Sequence, residues 1–263
     1  MHVWVIQNTN PGLGIGSTAA FMSPTLNTNE ASLTFCGQEL HCKQPKIGNF
    51  GYIEAFNEAF TNAGFSHFGV PFQQVYIIGS SAQSSLSIAS VVDPSYTTDL
   101  YTWQALGKSV EITSTSKLVD FVMRIFFCDY DANTGSIIVH KDGTSFTRVD
   151  GVRNYAYNGW GGYDEIATNS LGHIYDLPFT KDVLNLYNHR RDEVLKSTIV
   201  KRIMDSTVAT FDEIYEQILN DFKSILPSYK VEQLKKNKNY FLRLLDFRSR
   251  NICGLIDQAL NNA

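Results

Sequence analysis

Near residue 180 the chain changes its pattern, and that change constrains the fold more than any other feature. Beyond it, apolar residues recur at helical spacing. Phe211, Ile214, Tyr215, Ile218, Leu219, Phe222 and Ile225 make one stripe, which stops at Pro227. Leu234, Phe241, Leu244, Leu245, Ile252, Leu255 and Ile256 make another. Such stripes are the apolar faces of helices packed on a core. Charge follows the same division. Residues 1–130 hold 5 Lys+Arg and 9 Asp+Glu, a net of −4, whereas residues 181–263 hold 14 and 11, a net of +3. The spacing predicts a helix from Thr180, and a helix start at Thr210-Phe211-Asp212-Glu213, where hydroxyl and carboxylate can satisfy each other's backbone donors.

The first part reads as strands with a helix or two. Residues 2–7 and Ala31 to Phe35 read as strands, and Gly51 to Gly64 as a helix ending at its glycine. Gln74 to Ile78 is the clearest strand; Ala82 to Val92, ahead of Pro94, reads as a helix. Ser109 to Thr113, Val119 to Phe127, Ser136 to His140 and Ser145 to Val149 are rich in strand formers and read as an antiparallel meander. Asp131 to Gly135 and Lys141 to Thr144 supply its turns. The expectation is an α+β or α/β protein: a mixed-sheet body over 1–178 carrying the meander, with a helical region over 179–263 packed on it. Asp150 to Thr168, with Trp160, reads as a long aromatic loop suited to a binding surface.

Composition excludes some functions. A net charge of −4 gives no electrostatic reason to bind nucleic acid. No window nears the roughly 20 apolar residues that cross a bilayer. The N-terminus shows no cleavable leader, so a cytoplasmic protein is expected, with export lacking a cleaved leader as the alternative. Cys36, His41 and Cys42 have the wrong spacing for a zinc half-site, and neither a metal nor a cofactor is expected. The charge-poor first half predicts self-association into a homo-oligomer. Gly12 to Ser17 lacks the residues of a nucleotide loop and reads as a turn.

Two groups of residues are candidates for catalysis. The first is Ser81, after the strand and Gly79-Ser80. A serine at a sharp strand-to-helix turn is exposed, and the helix's first N–H groups face a developing oxyanion. Residues 73–92 resemble the nucleophile elbow of the α/β-hydrolases, Gly-x-Ser-x-Gly, with Gln83 in place of the last glycine. That resemblance implies a hydrolase or acyl-transfer enzyme in which Ser81 attacks, His173 takes its proton, and Asp129 or Asp131 orients the imidazole. The second group is Cys128 and His140, which flank a predicted hairpin. A thiolate–imidazolium pair serves acyl transfer or deamidation, and its order along the chain resembles that of deamidase toxins related to cytotoxic necrotizing factor. Ser114-Thr115-Ser116 is similar to an ADP-ribosyltransferase element, but the arginine that should precede it comes later, at Arg124. Asp164-Glu165, the 189–193 charge run and Lys235, Lys236 and Lys238 read as surface. A non-catalytic assembly or interaction protein is the competing expectation.

Overall fold

A computed structural model describes residues 5–7, 30–35, 38–43, 51–79, 86–91, 93–129, 134–149, 151, 155 and 177–261. The protein is mixed α+β with a helical C-terminal region. A five-stranded sheet holds β1 (Val5–Gln7), β2 (Glu30–Phe35), β3 (Gln38–Lys43), β4 (Val75–Gly79) and β5 (Leu86–Val91), in the order β1-β4-β5-β3-β2. β1 runs parallel to β4; the other pairings are antiparallel. Helix α1 (Gly51–His67) lies between β3 and β4 in the chain and packs on β4 and β5.

β4 is apolar throughout because both its faces are covered. Val75 and Ile77 join the main core with Leu86 and Ile88, while Tyr76 and Ile78 cluster with Leu40 and Ala89 on the other face. Within the expected helix over Ala82 to Val92, the described residues Leu86–Val91 form a strand. Leu86 and Ile88 alternate with Ser87 and Ala89, and this period of two pairs Ile77 with Ile88 and Gly79 with Leu86. β4 and β5 are thus an antiparallel pair joined by residues 80–85. The α1 stop also moves. The helix runs through Gly64 to His67, and Gly69, at φ 63°, makes the left-handed exit.

A second sheet of three antiparallel strands comprises β6 (Tyr96–Asp99), β7 (Ile137–His140) and β8 (Phe146–Arg148). The β7–β8 hairpin falls where expected, turning at Gly143 with φ 73°. Helix α2 (Leu100–Ala105) buries Leu100 and Trp103 against Ile137 and Val139. Two expected strands are absent. Ser109 to Thr113 has no regular structure, and Val119 to Phe127 belongs to a helix, α3 (Ser114–Phe127), capped by the Thr113 hydroxyl. Leu118, Phe121, Val122, Ile125 and Phe126 recur at helical spacing, and all five are buried. The branched and aromatic composition suggests a strand, but the period of the apolar residues decides.

Helices α4 (Thr180–Leu195), α5 (Thr198–Met204), α6 (Val208–Phe222) and α7 (Ser228–Asn261) follow. The α6 start lies three residues before the expected one, because the Thr207 hydroxyl caps the Thr210 N–H. Phe211, Tyr215, Ile218, Leu219 and Phe222 are buried, as the stripe requires. The core mixes the two parts of the chain: Phe56 and Phe60 of α1 meet Tyr215 of α6 and Phe241 of α7, with ring centroids 4.6–6.2 Å apart. α1 is therefore buried between sheet and helices, including its polar Glu54, Asn57, Glu58 and Thr61. No described helix is long and apolar enough to cross a membrane.

α1 and α3 also approach closely at Gly64, where an added Cβ would stand 2.5 Å from the Phe127 ring. Overpacking of this kind costs about 1–3 kcal/mol. Gly64→Ala should lose that much stability in urea denaturation even though alanine is the better helix former. A gain in stability would show that Phe127 yields freely.

Candidate functional site

The C-terminal end of α3 is held by ionic groups with almost no access to water. Arg124, Arg148 and Arg248 are each 0% exposed, Asp120 1% and Asp129 3%. Arg124 lies one helical turn after Asp120 and donates from Nε to its Oδ2 at 2.7 Å. Its Nη1 reaches Asp129 Oδ2 at 3.1 Å, and its Nη2 reaches Ser136 Oγ at 3.2 Å. Arg148, at the end of β8, donates from Nη2 to the same Asp129 oxygen, and its guanidinium lies 5.2 Å from the Phe65 ring centroid. Arg248, from the middle of α7, donates to Ile125 O and, at 3.1 Å, to Cys128 Sγ. It places a cation at the negative end of the α3 dipole. Cys128 turns the chain out of α3 in a left-handed conformation, φ 52°. Burial of Asp120, Arg124, Asp129 and Arg148 is tolerable because these charges pair with one another.

A second set of contacts fixes the segment after β8. Val149 N donates to Ser136 O at 3.0 Å. Gly151 N donates to Glu58 Oε2 of α1 at 2.5 Å. A Cβ at Gly151 would lie 2.7 Å from the Thr61 side chain, so only glycine lets the backbone come this near α1. Tyr155 N donates to Phe127 O at 2.7 Å, Tyr240 Oη donates to Tyr155 O at 2.9 Å, and the Tyr155 and Thr61 hydroxyls lie 3.1 Å apart. Burial raises the Tyr155 phenol well above its ordinary pKa, so it stays protonated and can donate. Four elements, α1, α3, β8 and α7, thereby meet at the roots of residues 130–133 and 150.

Of the first expected catalytic group, Ser81 and His173 lie outside the described residues. Asp129 lies within the arginine network, where its Oδ2 takes both guanidinium groups. The oxyanion argument for Ser81 also loses its helix, since β5 follows. The structure gives the second pair separate surroundings. Cys128 is buried beneath Arg248, whereas His140 ends β7, with Nδ1 2.8 Å from Asp142 Oδ1 and its ring edge-on to Tyr96. Hydrogen bonds from Thr144 and His140 hold the Asp142 carboxyl down at about 2. Ser114, Thr115 and Ser116 form the first turn of α3. Lys235 and Lys238 pair with acidic neighbours on the surface, and so does Arg190 of the charge run. Asp131, Asp164, Glu165, Trp160, Cys36 and Gly12 to Ser17 lie outside the described residues. Nothing is described of the Cys42 side chain. Among the described residues no group of three or more His, Cys, Asp or Glu is placed to hold a metal.

Sequence reasoning passed over Asp120, Arg124, Arg148, Arg248 and Glu58. A signal was present for two of them. Asp120 and Arg124 stand at i and i+4 inside an apolar run, where unpaired charge has no place. Arg148 and Arg248 are far apart in the chain, and only the tertiary fold brings both to the end of α3.

No family model matches the chain, and no curated protein sequence matches it. Among solved structures, a Helicobacter pylori proinflammatory kinase, CtkA, is similar over 90% of this chain and 96% of that one, at 12% identity and a TM-score of 0.44.

Proposed function

We propose that the chain is a phosphoryl-transfer enzyme whose donor is a nucleoside triphosphate with its divalent cation. The observation that carries this reading is the Arg148–Asp129 ion pair. It joins the residues from which two short segments set out: in the sequence Asp129 is followed by Asp131 and Asn133, and Arg148 by Asp150 and Gly151. At roughly 3.5 Å per residue, Asp131 and Asp150 lie within about 7 Å of chain from the paired residues and Asn133 within about 14 Å. The residues on either side of Asp150 in the sequence, Val149 and Gly151, are both hydrogen-bonded. Two carboxylates and a carboxamide are hard oxygen donors, suited to a magnesium ion that keeps some of its water and shares the phosphate oxygens. One carboxylate near an acceptor hydroxyl, with an amide and a second carboxylate on the metal, divides the work of transfer among three side chains.

The buried arginines would act on this site indirectly. With Asp129 taken up by Arg124 and Arg148, its charge is compensated before substrate arrives, and the two segments keep their roots together. Glu58 does the same for Gly151 from α1. The cation belongs to the substrate, so no resident cofactor is needed.

The test is transfer from ATP labelled at the γ-phosphate, with magnesium, to the chain itself, to general protein acceptors or to water. Asp131→Asn and Asp150→Asn should each lower the rate by at least about 100-fold, the lower range for loss of a catalytic acid–base group, with little change in melting temperature. A wild-type protein that neither binds ATP by calorimetry nor transfers phosphate sinks the proposal. The Ser81 acyl-transfer reading gives a different result: a serine-directed phosphonate labels the wild type and not Ser81→Ala. Concentration-dependent mass in light scattering, with neither activity, would favour the assembly reading.

A further inference from the structure

At the Asp120 end of the buried ionic network lies a cavity of about 310 Å3, bounded by the first turn of α3, the α5 helix and the segment joining α1 to β4. Phe68, Val70, Pro71, Val119, Phe146 and Ile199 give it apolar walls. Its polar edge has a positive character from two sources. One is Arg202, whose guanidinium donates to the carbonyls of Phe68 and, at 3.0 Å, of His67. A guanidinium carries five N–H donors, so these two bonds leave others. Burial, reinforced by the Arg202 charge, lowers the His67 pKa, which leaves Arg202 as the cation there at neutral pH. The other source is α3 itself. Thr113 caps the Ser116 N–H at 3.2 Å, and the Ser114 and Thr115 N–H groups have no carbonyl within the helix to meet. Among the described lining residues the carboxylate is Asp120, which is bonded to Arg124.

We propose that this cavity binds a small carboxylate with a single aromatic or branched apolar body. The body packs among Phe68, Val119 and Phe146, and the carboxylate meets Arg202 and the start of α3. The volume lies at the small end of ligand sites, which run from about 300 to 1,000 Å3, and this limits the body to one ring or its equivalent. The proposal does not depend on phosphoryl transfer.

The full chain is titrated with 3-phenylpropionate, 3-phenylpropan-1-ol and 3-phenylpropylamine, by calorimetry and saturation-transfer NMR. The acid should bind saturably and at least about tenfold more tightly than the alcohol, a difference of about 1.4 kcal/mol and the scale of a charge-assisted hydrogen bond. The amine should bind more weakly still. Val119→Trp fills the cavity and should abolish binding. Ser116→Glu sets an acid three residues after the Thr113 cap, which favours the helix while opposing an anion; it should keep the melting temperature and weaken the acid at least about tenfold. Should Val119→Trp misfold, Ser116→Glu decides alone. The proposal is overturned if the acid does not bind, binds no better than the amine, or binds folded variants as it binds wild type.

Discussion

Asp129→Ala should cost about 3–5 kcal/mol of stability, the range for removing one member of a buried ion pair, and should leave the protein largely unfolded at 37 °C. The reason is what remains behind. Arg148 loses the carboxylate it reaches across from β8, and Arg124 keeps, among the described residues, Asp120 for its charge and the Ser136 hydroxyl as a neutral acceptor. Neither guanidinium can reach water, since both are fully buried. Asp129→Asn preserves shape and removes charge, so it should fall between alanine and wild type. Urea unfolding followed by circular dichroism measures all three. A loss below about 1 kcal/mol for the alanine variant, the scale of an exposed ion pair, would mean that the network has another anchor.

Ile218→Asp should be nearly as damaging, for a different reason. Ile218 is 1% exposed in the main core, within the α6 stripe that packs on α1 and α7. The substitution loses about 1.5–3 kcal/mol of apolar burial and sets a carboxylate where the core is apolar, which adds the cost of desolvating it or keeping it protonated. A total of at least about 4 kcal/mol is expected, among the larger effects of any single substitution. Asn220 is the control, since it is exposed two residues later and its side-chain oxygen, which accepts from Lys223, is kept in aspartate. Asn220→Asp should change stability by no more than about 0.5 kcal/mol. Thermal melts of the two variants beside wild type distinguish a buried stripe from a partner-binding one, because a stripe awaiting a partner would tolerate the Ile218→Asp change in the free protein.

The helical C-terminal region was legible because its apolar positions repeat every three or four residues over long stretches, and burial follows that repeat through α6 and α7. β4 was legible because a short apolar run between turn residues suits a strand covered on both faces. The failures have a common cause. Over residues 82–92 and 119–127 composition and neighbouring turns mislead, whereas the spacing of Leu86 and Ile88, and of Leu118, Phe121, Val122 and Ile125, carries the answer. The Asp129 network was less accessible. Its members come from α3, β8 and α7, and no local pattern in the sequence says that an arginine in a long amphipathic helix turns inward. Asp129 itself stands out in the sequence as a triad acid, but its two arginines could not be foreseen from the chain around it.

Arg248 closes on Ile125 across a separation of 123 residues. A ribosome adding about 5–20 residues per second needs roughly 6–25 s to supply the second partner after the first. Throughout that interval the end of α3 lacks one of its three guanidinium anchors. Its completion is therefore a late event in the life of each molecule, timed by translation. A chain broken off within α7 ahead of Arg248 would leave the end of α3, at Ile125 and Cys128, without that closing contact, so truncation there should destabilise the fold.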